Sequence, residues 1–174
     1  MRRTPRRDCP NATNGSPRAR TAGVRDERYH RRVALSLPAK KTLTLEAARF
    51  TLAACEAEAI KNNWRVVIAI VDDGGHAILV TRLDGAQWSS IETAVEKARA
   101  AIAWKRPTRL LEESINNGRT AFLSIAQGMA VLQGGVPIEV DGTFIGAVGV
   151  SGVKAADDEV VALAGVHALK AALG

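Results

Sequence analysis

Three charged side chains, Arg82, Asp84 and Lys97, are the first candidates for chemistry in this sequence. Arg82 and Asp84 stand two residues apart at the end of an apolar segment, so an extended backbone would place both on the same side. A guanidinium there could hold a carboxylate, while Asp84 or Lys97 could act as an acid or a base. The alternatives are an exposed ion pair and an ordinary lysine on a surface helix.

Glycines form the second candidate, in the stretch GGVPIEVDGTFIGAVGVSG at residues 134–152. The amides of Gly134 and Gly135, just before a strand that contains Pro137, could face an anionic ligand. Ser151 and Gly152 close the same stretch, but GVSG is not a nucleophile elbow, because glycine does not follow two residues after the serine. Dinucleotide-binding and Walker A motifs are also missing. For Gly146, Gly149 and Gly152, close packing of a helix is the alternative interpretation.

Metal-binding residues are sparse. No two of the three histidines have the spacing of a ligand pair, and Cys9 and Cys55 predict neither a zinc site nor a disulfide framework. The iron of a tetrapyrrole needs only one axial side chain, so His76, at the start of a strand, is a candidate ligand. A polar residue beside a turn is the alternative interpretation of His76.

The elements that must position these residues indicate an α+β fold, since consecutive strands joined by tight turns form antiparallel sheets. A DGG turn and an Asp141-Gly142 turn each join two consecutive segments of strand-like composition. Five such segments are present: 65–73, 76–83, 128–135, 137–140 and 143–150. Apolar periodicity and caps predict helices over about 44–62, 89–104 and 157–173, with a short helix at 109–114. Thr44 caps the first helix, Pro107 stops the second, and Asp157 and Asp158 cap the last.

Basic charge is concentrated at the N-terminus. Residues 1–38 contain ten Arg and three acidic residues, which leaves fourteen basic and fifteen acidic residues in 39–174. The high pI therefore belongs to the tail, and a nucleic-acid partner is not expected. We expect residues 1–38 to be a disordered basic tail, or the product of a start codon assigned too early, and 39–174 to be one domain. No apolar run predicts a signal peptide or a membrane span, so we expect a cytoplasmic protein.

The sequence resembles the GlcG/HbpS-like family over about residues 42–173, in the motifs VDDGGHAILVTRLDGA, EKARAA, KRPT, QGGVPIEVDGTFIGAVGVSG and DDEVVALAG. The resemblance implies a five-stranded antiparallel sheet flanked by helices, with profilin-like topology, and a homo-oligomer between a dimer and an octamer. It also implies that Thr108 is a candidate iron ligand, because the secreted heme-binding branch uses a Thr in the matching segment. The segment NNGRTAFLSIAQGM departs from the shorter family pattern.

Two hypotheses of function follow. In the first, the protein binds heme or another tetrapyrrole in a cleft, within a cofactor-handling or catabolic context. The candidate ligand-binding residues are Arg82, Lys97, Gly134, Gly135, Pro137, Ser151 and Gly152. In the second, it is an enzyme that acts on an anionic hydroxy or keto acid by proton transfer through Asp84 or Lys97. The sequence favours the binding protein, because no residue set meets the geometric minimum for catalysis.

Overall fold

The computed structural model describes residues 36–174, within which Ala39–Gly174 form one unit. The predicted disordered tail thus lies almost entirely outside the described residues. The unit contains four strands, which are β1 (Val67–Asp72), β2 (Ala77–Arg82), β3 (Gly135–Val140) and β4 (Thr143–Ser151). Its α-helices are α1 (Leu45–Lys61), α2 (Ser90–Trp104), α3 (Thr108–Asn116) and α4 (Ala155–Leu173), and a 3-10 helix spans Thr120–Ile125.

The strands form one antiparallel sheet in the order β2-β1-β4-β3. The central strand β1 is a continuous apolar run and is almost fully buried, because helices cover both of its faces. Both predicted hairpins are present as β1–β2 and β3–β4. The expectation of five strands is wrong, since residues 128–134 form turns and irregular backbone, and β3 begins only at Gly135. The side chain of Val131 is instead buried against Ala100 and Leu111.

Helix α2 covers one face of the sheet, while α4 packs on the other face and α1 packs mainly on α4. Glycines permit the close approach of these layers. A Cβ at Gly149 of β4 would overlap with the backbone carbonyl of Ala94 in α2, and one at Gly165 of α4 would overlap with the Cys55 sulfur of α1. For Gly149, helix packing is therefore the correct interpretation.

The predicted helices are present with small differences. The Thr44 hydroxyl accepts a hydrogen bond from the Ala47 amide and caps α1, as expected. Helix α4 begins earlier than predicted, so Asp157 and Asp158 lie inside its first turn instead of preceding it. Within residues 36–174, no helix has the length and apolar character needed to cross a membrane.

Candidate functional site

Lys97 lies in the protein core. Its side chain is 3% exposed, and its ammonium donates hydrogen bonds to Asp158 Oδ2 at 2.8 Å and to the Val150 carbonyl at 3.0 Å. Asp158 is 2% exposed, and its Oδ1 accepts a hydrogen bond from the Val153 amide at 3.2 Å. The pair joins α2, on one face of the sheet, to α4, on the other.

Electrostatics explain why the charges tolerate burial. Burial raises the pKa of the Asp158 carboxyl above its ordinary value, although the hydrogen bond and the charge of Lys97 act in the opposite direction. Asp158 also stands in the first turn of α4, where the helix dipole favours a negative charge. The sequence contained a clue to this burial, because Lys97 shares a helix face with the small residues Ala94 and Ala101.

The Gly134-Gly135 pair packs around this buried ion pair. Gly134 has a φ of +121°, and a Cβ there would lie 2.9 Å from Lys97 Nζ and 2.9 Å from Asp158 Cβ. The Gly135 amide donates a hydrogen bond to the Thr108 hydroxyl at 2.8 Å, and both residues are buried. The amide of Gly135 and the hydroxyl of Thr108 therefore have hydrogen-bond partners within the chain.

Most of the other residues predicted from the sequence lie around the end of the sheet where β1 begins, whereas Pro137 pairs with Ala147, in the row of Val71 near the end of β1. Arg82 and Asp84 are exposed at the end of β2, Pro137 is half-buried on the edge strand β3, and Ser151 is buried at the end of β4. Gly152 follows β4 with a φ of +155°. Arg82 and Ser151 are both paired with Val67, so they share one row of the sheet with one strand between them. Neither of the two cavities described below contains any of these residues or Lys97.

His76 occupies a different place, at the turn between β1 and β2. The carboxylate of Asp72 accepts hydrogen bonds from the amides of Gly74 at 2.8 Å and His76 at 2.9 Å. These bonds, with that from His76 as the largest cause, hold the pKa of the Asp72 carboxyl below its ordinary value. The imidazole itself is 83% exposed and projects beside a cavity.

This His76 cavity has a volume of about 390 Å³ and is open to solvent. Its walls come from the β1–β2 turn, from α2 and from the segment after the 3-10 helix; they comprise Gly74, Gly75, His76, Arg99, Ile102, Ala103, Gln127, Gly128 and Met129. Arg99 Nε donates a hydrogen bond to the Gly75 carbonyl at 3.1 Å and so ties the turn to α2. The cavity thus combines an imidazole, a thioether and a guanidinium.

Arg99 and Met129 are the members of this cavity that the sequence did not reveal. Arg99 lies only two residues after Lys97 on α2, so it points to another side of the helix and reaches solvent. Met129 belongs to a segment that was predicted as a strand. Within residues 36–174, no cluster of three or more His, Cys, Asp or Glu could hold a metal ion.

A larger cavity of about 580 Å³ lies between the start of α1, the β3–β4 turn and the end of α4. Lys41, Lys170, Glu139 and Asp141 supply its charged groups, and Lys41 and Asp141 form an ion pair. It contains no imidazole, thioether or thiol. The His76 cavity therefore holds the side-chain types that bind iron, although it is the smaller of the two.

The fold and this site define a small α/β/α sandwich with an open, histidine-bearing cavity. The chain belongs to the HbpS-like family, because the family model described as "Haem degrading protein HbpS-like" matches residues 43–167. The resemblance noted from the sequence motifs is thereby confirmed.

Individual relatives agree with this membership. Protein GlcG of Escherichia coli strain K12 is 47% identical over 112 residues, which cover 64% of this chain and 83% of GlcG. The crystal structure of HbpS has a TM-score of 0.70 and 34% identity, and the match covers 80% of this chain and 95% of that one. The crystal structure of a PduOC:heme complex has a TM-score of 0.67 and 26% identity, with 74% of this chain and 95% of that chain covered.

Proposed function

We propose that the protein binds heme, or a closely related tetrapyrrole, in the His76 cavity, where His76 would hold the iron. The single observation that carries this proposal is the exposed imidazole beside a cavity whose other walls offer Arg99 and Met129. A similar fold in complex with heme supports the choice of ligand.

The residues of the cavity fit the chemical parts of heme. His76 would supply a nitrogen to the iron, Arg99 would hold a propionate, and Ile102 and Ala103 would contact the apolar macrocycle. The volume of about 390 Å³ lies in the usual range of ligand sites. Bound heme would supply a redox-active iron, whose potential depends on the axial side chain.

The arrangement of the charged residues favours binding over the alternative of an acid–base enzyme. Lys97 is buried and paired with Asp158, whereas Asp84 is exposed at the end of β2. A proton-transfer mechanism requires the acid or base to reach a bound substrate, and neither residue lines either of the two cavities described above. The Thr108 hydroxyl is likewise engaged with Gly135.

Titration of the purified protein with hemin tests the proposal. We expect a Soret band shift for the wild type and at least about a tenfold loss of affinity for His76→Ala, which corresponds to about 1.4 kcal/mol. His167→Ala is the matched control, because His167 is an exposed histidine on α4 that lies outside the cavity. Equal hemin affinity of the His76→Ala and wild-type proteins would contradict the proposal.

We also propose that the protein is a homo-oligomer. Exposed apolar surface often marks an interface between chains. Four aliphatic side chains in and around α3 and the 3-10 helix are exposed: Leu110, Leu123, Ile125 and Leu132. Light scattering coupled to gel filtration should give a mass of at least two chains. A double substitution, Leu123→Ser with Ile125→Ser, should reduce that mass, and a monomeric wild type would contradict the proposal.

A further inference from the structure

Asp72 ends β1 and is fixed by the turn that follows it. Its own amide donates a hydrogen bond to the His76 carbonyl at 2.9 Å, and its carbonyl accepts one from the Gly75 amide at 3.1 Å. One oxygen of its carboxylate, Oδ1, accepts hydrogen bonds from the amides of both Gly74 and His76. These backbone hydrogen bonds therefore hold the Asp72 side chain, and with it Oδ1, in one position.

One edge of the His76 imidazole faces this oxygen. Nδ1 lies 3.4 Å from Asp72 Oδ1. The ring also packs directly over Gly74, where a Cβ would lie 2.9 Å from both Nδ1 and Cε1. The absence of a side chain at position 74 thus makes room for the Nδ1 edge, beside an acceptor that is already in place.

We propose that Asp72 is a positioning residue for the heme ligand: it accepts the Nδ1–H of His76 and thereby leaves Nε2 unprotonated to bind iron. This inference rests on the proposed function. A neutral imidazole carries one N–H, so a carboxylate at Nδ1 selects the tautomer whose free lone pair is on Nε2. A carboxylate partner also makes the imidazole a stronger donor to the metal.

The tautomer can be measured without heme, by long-range ¹H–¹⁵N NMR correlations of the full-length protein at about pH 8. The chain has only three histidines, so the spectrum of His76→Ala identifies the signals of His76. We expect the Nδ1–H tautomer in the wild type. A wild-type His76 that carries its proton on Nε2 would overturn the inference, whatever any variant does.

Asp72→Asn is the decisive substitution, because the amide oxygen of Asn can still accept the two turn hydrogen bonds but is a weaker acceptor for Nδ1–H. Asp73→Asn is the matched control: it removes the same charge from the same turn, but Asp73 pairs with Lys40. We expect Asp72→Asn to lower hemin affinity by about 10- to 100-fold and to raise the reduction potential of bound heme. Asp73→Asn should resemble the wild type in both measurements.

The outcomes separate this inference from the proposed function. If His76→Ala loses hemin binding but Asp72→Asn and Asp73→Asn have the same tautomer, hemin affinity and reduction potential, only the role of Asp72 is overturned. Unchanged binding in His76→Ala would overturn both. An effect of Asp72→Asn on affinity without a change of potential or tautomer would reduce Asp72 to a structural residue and would also overturn the inference.

Discussion

Removal of the Lys97 ammonium should show how much the buried ion pair contributes to the free energy of unfolding. Lys97→Met keeps most of the side-chain volume but leaves Asp158, which is 2% exposed, without its cationic partner. Removal of one member of a buried pair costs about 3–5 kcal/mol. Since domains are stable by about 5–15 kcal/mol, the variant should lose a large part of its free energy of unfolding.

The loss should depend on pH. Burial already raises the pKa of Asp158, whereas the charge and hydrogen bond of Lys97 lower it. Removal of the Lys97 ammonium should therefore raise this pKa further. A carboxyl with a raised pKa in the folded state binds more protons when native than when unfolded. Stability is therefore greatest below the unfolded pKa of about 3.9 and falls as the pH rises toward the folded value, by about 1.4 kcal/mol per pH unit. The Lys97→Met protein should thus be more stable at pH 5 than at pH 8.

Urea unfolding followed by far-UV circular dichroism at these two pH values measures both effects. Lys61→Met is the matched control, because Lys61 forms an exposed pair with Glu58 and should cost no more than about 1 kcal/mol. Lys97→Met combined with Asp158→Asn removes both charges, and should abolish the extra pH dependence and cost less than the two single substitutions added together. If Lys97→Met at pH 8 costs no more than Lys61→Met, the interpretation of the pair is wrong.

Three further predictions concern packing and burial in the core. Gly149→Ala should destabilise the protein by about 1–3 kcal/mol or more in the same unfolding assay, because the added methyl group would overlap with the α2 backbone; an unchanged midpoint would contradict the packing. Thr108→Val should cost about 1–3 kcal/mol, since the buried Gly135 amide loses its acceptor, and should leave hemin affinity unchanged. Burial raises the pKa of the Cys55 thiol to about 12, so in a Cys9→Ser background iodoacetamide at pH 8 should label it only after unfolding.

Local signals in the sequence predicted most of the elements correctly. The Thr44 cap, the Asp141-Gly142 turn and the β-branched run of β1 each depend on residues that are close in the chain. The strand expected at 128–135 is not formed, since residues 128–134 are turns and irregular backbone. That segment instead contributes Val131 to a cluster with α2 and α3, which is a tertiary effect that composition does not reveal.

The site was harder to predict, because burial of a charge depends on a partner that is distant in sequence. Lys97 and Asp158 are separated by 61 residues, and neither motif identifies the other. Without that contact, an exposed helix lysine was a reasonable interpretation of Lys97. His76 was a candidate ligand because the iron of a tetrapyrrole needs only one side chain. Arg99 and Met129 are far from it in the sequence, and only the fold brings them into the same cavity.

The two Gly-Gly pairs of the sequence differ in role because of a single helix. Gly134-Gly135 lies beneath α2, whose Lys97 turns inward to Asp158, whereas Gly74-Gly75 lies at the surface, where Arg99 of the same helix reaches the Gly75 carbonyl. Lys97 therefore anchors α2 to the sheet, and Arg99 of the same helix fixes one wall of the His76 cavity. A substitution that loosens the buried pair should consequently disturb the turn that presents His76, even though no buried charge contacts the cavity.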